Sequence, residues 1–187
     1  KTFEKYLKEW YNLGLTTIAI SIVHYKKEKN KEIFTPSKKY VDLPKLIKRL
    51  HKIGYTVRLS CMLIKGYIDS AEEIKKLIEK AKEWKVEQLT LRKMDKPKNS
   101  ENKKIASWIE KNNLGEEQEE EIKKFLIREG NELLVLPHGA TIWDINGQNV
   151  CLTDGLTKPE AENLRQIIFF PDGHLRFDWQ YKGAILI

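Results

Sequence analysis

The apolar positions of the chain change period along its length. Residues 3–13 put Phe3, Tyr6, Leu7 and Trp10 on one helical stripe, which Gly14 ends. "LTTIAISIV", residues 15–23, is short and β-branched and predicts a buried strand. The polar "HYKKEKNKEIFTPSKKY" after it reads as a loop. Asp42 then caps a helix with the apolar stripe Leu43, Leu46, Ile47, Leu50 and Ile53, closed by Gly54. Residues 56–64 form a second strand. Ser70 and Glu73 predict a capping box for helix 70–84, whose inner side is Ile74, Leu77, Ile78, Ala81 and Trp84. "VEQLTL", residues 86–91, is a third strand. Strands joined by amphipathic helices run parallel with right-handed crossovers. Such sheets are covered on both faces or closed into a barrel, and ligands gather at the carboxyl ends of their strands.

After Met94 the pattern breaks. "DKPKNSENKK" is polar, and two short helices follow at about 102–112 and 116–129, the second ended by Gly130. From Leu133 the chain reads as antiparallel, with strand runs around Asn146-Gly147 and a hairpin tipped by Asp172-Gly173. The expected division is therefore a strand–helix part over 1–97, a helical connector over 98–132, and a small antiparallel β region over 133–187.

Alternation gives each parallel strand two faces. Ile18, Ile20 and Ile22 oppose Thr17, Ala19 and Ser21; Val57, Leu59, Cys61 and Leu63 oppose Arg58 and Ser60; Leu89 and Leu91 oppose Gln88, Thr90 and Arg92. One side is apolar and suited to helices. The other is small or polar, which predicts a wet cavity rather than a second helical layer. The expected pocket gathers Ser21, Arg58, Ser60, Thr90 and Arg92, with His24, Lys65 and Met94 at its carboxyl-terminal rim. Arg58 reads in two ways. It holds an anionic substrate group through its planar fork, or it pairs with a carboxylate in a buried network.

Composition narrows the class. At 187 residues, 41% of them hydrophobic and five of them Trp, the chain can bury one sizeable core. No run approaches the roughly 18 apolar residues of a membrane span, and the polar opening "KTFEKYLKEW" is no signal peptide. Cys61 and Cys151 make no disulfide framework, so a reducing cytoplasm is the expected compartment. The net charge of +7 suits anionic partners, nucleic acid included, although most lysines alternate with glutamates along helices, as in "EEIKKLIEKAKEWK".

"TIAISIVH", followed by "VRLSCMLIKGYIDSAEEIKKLIEKAKEWKVEQLTLRKMDKP", resembles the last three strand–helix units of the radical S-adenosylmethionine (SAM) superfamily. It is most similar to the molybdenum-cofactor GTP cyclase branch. The similarity covers about residues 10–97, half the chain, and rests on the order and spacing of short pieces. It implies the C-terminal part of a partial (β/α)6 TIM-like barrel, followed by a companion domain with short helices and an antiparallel hairpin region. It also implies site roles: Ser21 matches a serine that contacts SAM, Arg58 a basic position that contacts substrate, and Met94 a methionine whose backbone region packs near the adenine. The superfamily's Cys-x3-Cys-x2-Cys loop, which holds a [4Fe–4S] cluster, is absent, as is its glycine-rich SAM motif. The implied reading is a portion of a radical SAM enzyme. SAM and the cluster belong to the intact enzyme, and this chain alone binds neither. The upstream half of the barrel, on the same polypeptide or a second chain, is the implied partner, with a small-molecule or peptide substrate. A degenerate relative without the chemistry is the alternative.

His138, His174, Asp144 and Asp172 fit no metal-ligand spacing, and His174 beside Asp172-Gly173 suits a hairpin role. Cys61 points to the apolar side and reads as core. Trp143, Phe169, Phe170, Phe177, Trp179 and Tyr181, with Arg165, Arg176 and Lys182, are hairpin core or a stacking surface for nucleic acid. A basic binding module without catalysis therefore stands beside the enzyme reading, with nucleic-acid binding expected to be weak.

Overall fold

The structure is a computed structural model that describes residues 2–36, 39–94, 102–136, 139–153, 167–177 and 185–187. In these residues, helices α1 (Thr2–Asn12), α2 (Lys27–Phe34), α3 (Leu43–Ile53), α4 (Ala71–Glu83), α5 (Lys103–Asn112) and α6 (Glu116–Glu129) accompany eight strands. β1 (Thr17–Ile22), β2 (Thr56–Met62), β3 (Gln88–Arg92), β4 (Asn131–Val135), β5 (Thr141–Ile145) and β6 (Gln148–Thr153) form one sheet in the order β1-β2-β3-β6-β5-β4. The first four strands in that order run parallel; β5 and β4 are antiparallel additions. β7 (Ile168–Phe169) and β8 (Leu175–Arg176) make a separate two-stranded antiparallel sheet around the Asp172-Gly173 turn. The protein is thus a mixed α/β fold with a six-stranded, mostly parallel sheet. No described helix is long and apolar enough to cross a membrane.

β1, β2 and β3 are adjacent and parallel in chain order, as the repeated strand–helix pattern predicts. The place of β6 is not visible in local sequence. It makes the Asn146-Gly147 hairpin with β5, and its other edge lies parallel to β3. The antiparallel strands therefore extend the parallel sheet.

The apolar positions of the strands line up across the sheet. Ile22 sits beside Cys61 and Leu91; Ile20 beside Leu59 and Leu89; Val150 continues the row from Leu89 to Trp143. Onto this face pack Leu7 of α1, Ile47 and Leu50 of α3, Ile74, Leu77 and Ala81 of α4, and Ile122, Phe125 and Leu126 of α6, in one continuous core. Each fully buried Leu or Ile contributes roughly 1.5–3 kcal/mol. On α1 the expected stripe divides: Leu7 is buried, while Tyr6 and Trp10 stack on each other at 6.4 Å with more than a third of each exposed. Tyr11 turns inward instead, meeting Tyr55 edge-on at 5.3 Å. Gly54 closes α3 at φ +113°, and a Cβ there would come within 2.6 Å of the Tyr11 ring.

Two local expectations are corrected. Residues 27–34, read as loop, form α2, which no side chain caps and which has no apolar stripe. The Ser70–Glu73 pair is only half a capping box. Ser70 Oγ accepts from the Glu73 N–H at 3.3 Å, but the Glu73 carboxylate turns to other partners.

Candidate functional site

With α1, α3, α4 and α6 all packed on one side, the other side of the sheet contributes no residue to the core cluster among the described residues. No described helix packs there, where parallel sheets are ordinarily covered, and the side chains on that face are small or polar. In successive partners across the strands, Ser21 sits beside Ser60, Ser60 beside Thr90, and Thr90 beside Cys151. This row of three hydroxyls and a thiol crosses four parallel strands. One row toward the amino ends lie Ala19, Arg58 and Gln88; one row toward the carboxyl ends lie Met62, Arg92 and Thr153. Arg58 and Arg92 thus flank the hydroxyl row from opposite sides.

Arg58 is exposed, and its Nε donates to Gln88 Oε1 at 2.6 Å. Among the described residues it has no buried carboxylate partner, which one reading of the sequence gave it. Arg92 is half-buried and makes no ion pair among the described residues. The carboxylate of Asp144, on the same face two strands from Gln88, is engaged by the Gly147 N–H at 2.9 Å. Cys151 is half-buried; burial pushes its thiol pKa up, against a smaller pull from the Arg58 charge. Cys61 lies fully buried on the opposite face, where burial alone holds its thiol protonated.

The rim residues do not gather as a set. Lys65 is exposed, and its N–H donates to the Asn112 carbonyl at 2.9 Å. Met94 is half-buried, and its carbonyl accepts from Asn113 Nδ2 at 3.4 Å. The α5–α6 junction therefore borders the carboxyl ends of β2 and β3. His24 lies elsewhere. It is 4% exposed and turned to α4 on the helical side of the sheet.

The surroundings of His24 were not legible in the sequence. Its Nδ1 accepts from the Lys26 N–H at 3.0 Å, which fixes the neutral tautomer with its proton on Nε2, 3.6 Å from Glu73 Oε2. The same carboxylate oxygen accepts from the Tyr25 hydroxyl at 3.1 Å, and Lys76 reaches the other oxygen at 3.0 Å. Burial lowers the imidazole pKa more than Glu73 raises it. Burial alone would raise the Glu73 pKa; hydrogen bonds from Lys76 and Tyr25 outweigh it and hold the carboxyl low. The Lys26 N–H occupies the lone pair on Nδ1, so the neutral imidazole has no free lone pair for a substrate proton and acts as a structural joint. Asn30 of α2, fully buried, completes the joint: Oδ1 accepts from the Val23 N–H at 2.9 Å, and Nδ2 donates to the carbonyls of His24 and Lys26.

The described residues hold no group of three His, Cys, Asp or Glu side chains placed to bind a metal. Cys61 and Cys151 occupy opposite faces of the sheet and do not fit a shared iron–sulfur cluster. His138, Arg165, Trp179, Tyr181 and Lys182 lie outside the described residues. His174 Nδ1 stands 3.3 Å from Asp172 Oδ1 within the hairpin turn, and Arg176 pairs with Asp172 and covers the Phe170 ring at 4.5 Å.

The described helices on one side and a hydroxyl-lined, arginine-flanked face on the other define the class: a mixed α/β protein with a candidate ligand face built on parallel strands. No family model and no curated protein matches the chain.

Proposed function

We propose that this chain is the strand-contributing portion of a radical SAM-type enzyme, and that its open sheet face is part of the inner wall of a partial (β/α)6 barrel. The observation that carries the reading is the Ser21–Ser60–Thr90 row, with Arg58 and Arg92 beside it, on the face turned away from the helices. In a barrel the helices stand outside and the polar positions line the interior, where substrate lies. The resemblance of residues 10–97 to the superfamily adds the assignments: Ser21 and Met94 toward SAM, and Arg58, Ser60, Thr90 and Arg92 toward substrate. His24 joins the scaffold, through Glu73 and Asn30, rather than the substrate contacts.

The cluster that starts the radical chemistry is supplied from outside these residues, since the cysteines here do not fit one. What this chain does is bind and orient. Arg58 offers a planar donor fork to an anionic substrate group, and the hydroxyls offer donors and acceptors across the strands. The test is anaerobic purification of the full-length natural polypeptide that carries these residues, together with any partner that co-purifies. The expected result is a cluster absorption in the visible range and reductant-dependent SAM consumption. A preparation with neither, on a polypeptide without a Cys-x3-Cys-x2-Cys loop, overturns the proposal.

A further inference from the structure

The geometry points to a two-ended anion as the ligand of the open face: a small flexible molecule with one oxyanion held by Arg58 and a second held by Arg92, its body lying over Ser60 and Thr90. This rests on the reading of that face as a ligand surface and goes beyond it by naming the chemistry of the ligand.

Three observations carry it. First, neither guanidinium group is paired with a carboxylate among the described residues. Arg58 is bonded to the neutral Gln88, Arg92 to no carboxylate among the described residues, and Asp144 stands away on β5 with its carboxylate turned to the hairpin. Second, their spacing is fixed by the register. Arg58 is level with Gln88, and Arg92 is level with Met62, so the two stand four positions apart along neighbouring strands. At roughly 3.3 Å per residue the Cα atoms are about 13 Å apart along the sheet. That is too far for one carboxylate to be gripped by both without folding both side chains inward. Arg58 is already tied toward β3. A ligand with charge at both ends meets the arginines where they stand. Third, the surface between them is made of hydroxyls, Ser60 and Thr90, with Cys151 beside them. The strand residues of this face, from β1 through β3 and β6, include no aromatic ring to stack a base. Two charges on a non-aromatic body match this wall better than a nucleobase does.

Cys151 supplies a reporter at the site. It is the half-buried thiol in the hydroxyl row, while Cys61 is sealed in the core. The experiment measures the rate at which a neutral disulfide reagent modifies Cys151 in the 187-residue chain. The probes are a series of straight-chain α,ω-dicarboxylates and the monocarboxylates of matching length. The dicarboxylates are expected to protect the thiol at concentrations about tenfold lower than their monocarboxylate counterparts, with an optimum chain length. Arg58→Gln and Arg92→Gln should each abolish the difference, and the double variant should do no more than either one. Circular dichroism checks that the variants remain folded; both side chains lie outside the core cluster. Equal protection by mono- and dicarboxylates, or a difference that survives loss of either arginine, overturns the two-ended ligand. Protection by a short oligonucleotide but by no dicarboxylate also overturns it, and favours the nucleic-acid module. The assay needs no cluster and no SAM. Dicarboxylate binding without SAM chemistry in the full polypeptide would therefore remove the enzyme reading and leave the site standing.

Discussion

Asn30→Ala should cost this fold more than any surface position on the same helix, and the reason is local bookkeeping of polar groups. Asn30 is fully buried in a segment whose composition suits solvent: α2 reads KEKNKEIF. Its side chain satisfies the Val23 N–H at 2.9 Å, and its amide serves the carbonyls of His24 and Lys26. Truncation to Ala leaves the Lys26 carbonyl a backbone partner, the Asn30 N–H at 3.3 Å, but orphans the Val23 N–H, the His24 N–H and the His24 carbonyl. A buried polar group left unsatisfied costs about 1–3 kcal/mol, so three cost about 3–9 kcal/mol. For a domain of this size each kcal/mol moves Tm by roughly 2–4 °C, which predicts a drop of about 6–36 °C. Asn30→Asp keeps the acceptor but places a carboxylate oxygen against two carbonyls, so it should cost at least as much at neutral pH. Urea unfolding gives the stability difference, and amide exchange locates it. The Val23 amide should lose protection in Asn30→Ala, ahead of the central strand β2. A loss below about 1 kcal/mol, or a Val23 amide as protected as before, would refute the claim that Asn30 clasps the end of β1.

Acid should weaken the same joint. Burial holds the His24 imidazole below its ordinary pKa of 6.5, so the folded state takes up that proton less readily than the unfolded chain. The stability this provides is complete above the ordinary value and is lost as pH falls through it toward the lower folded one. His24→Gln should flatten unfolding free energy between about pH 7 and 5, and a wild-type curve already flat there would refute it. Arg58→Ala should leave Tm nearly unchanged, within about 0.5 kcal/mol of stability, because the side chain is exposed and bonded to Gln88; a loss of several kcal/mol would mean a buried network after all. Nucleic-acid binding by the chain should be weak, with log affinity falling against log salt by about 0.7–0.9 per phosphate contacted. A tight, sequence-selective complex at physiological salt would favour the basic binding module.

Periodicity made most of the fold legible. The helices α3, α4, α5 and α6 start and stop within a residue or two of where caps and apolar stripes put them, because both signals are local. Asp42 and Ser70 each accept from the backbone N–H three residues on. α2 was not legible for the same reason. Nothing in KEKNKEIF repeats at helical spacing, and the helix forms because one buried amide ties it to β1. The capping box at Ser70 failed on its second half because the Glu73 carboxylate bonds to Lys76, one turn along the same helix, and to Tyr25, remote in sequence. β6 was misplaced by the local hairpin signal. That signal fixes its pairing with β5 and says nothing about its other edge, which is free to find β3, roughly sixty residues back in the chain.

The ligand face was legible to the extent that alternation is rigid. A strand cannot change which residues share a side without slipping by one and turning its apolar set to water. Ile20, Leu59 and Leu89 must meet on the helical side, and once they do, Ser21, Ser60 and Thr90 have no choice but to meet on the other. That rigidity ends where the strands end. Past Ile22 the phase is set by what the chain meets next, and Val23, His24 and Asn30 together turn the imidazole under the sheet's helical layer. Cys151 is the converse case: it belongs to the hydroxyl row by register, yet only the nonlocal pairing of β6 with β3 puts it there. A residue's membership in this face is therefore secure in proportion to how few tertiary choices it depends on. By that measure Arg58, Ser60 and Thr90, on two strands joined by a single helix, are the positions where substitution should report most directly on what the face binds.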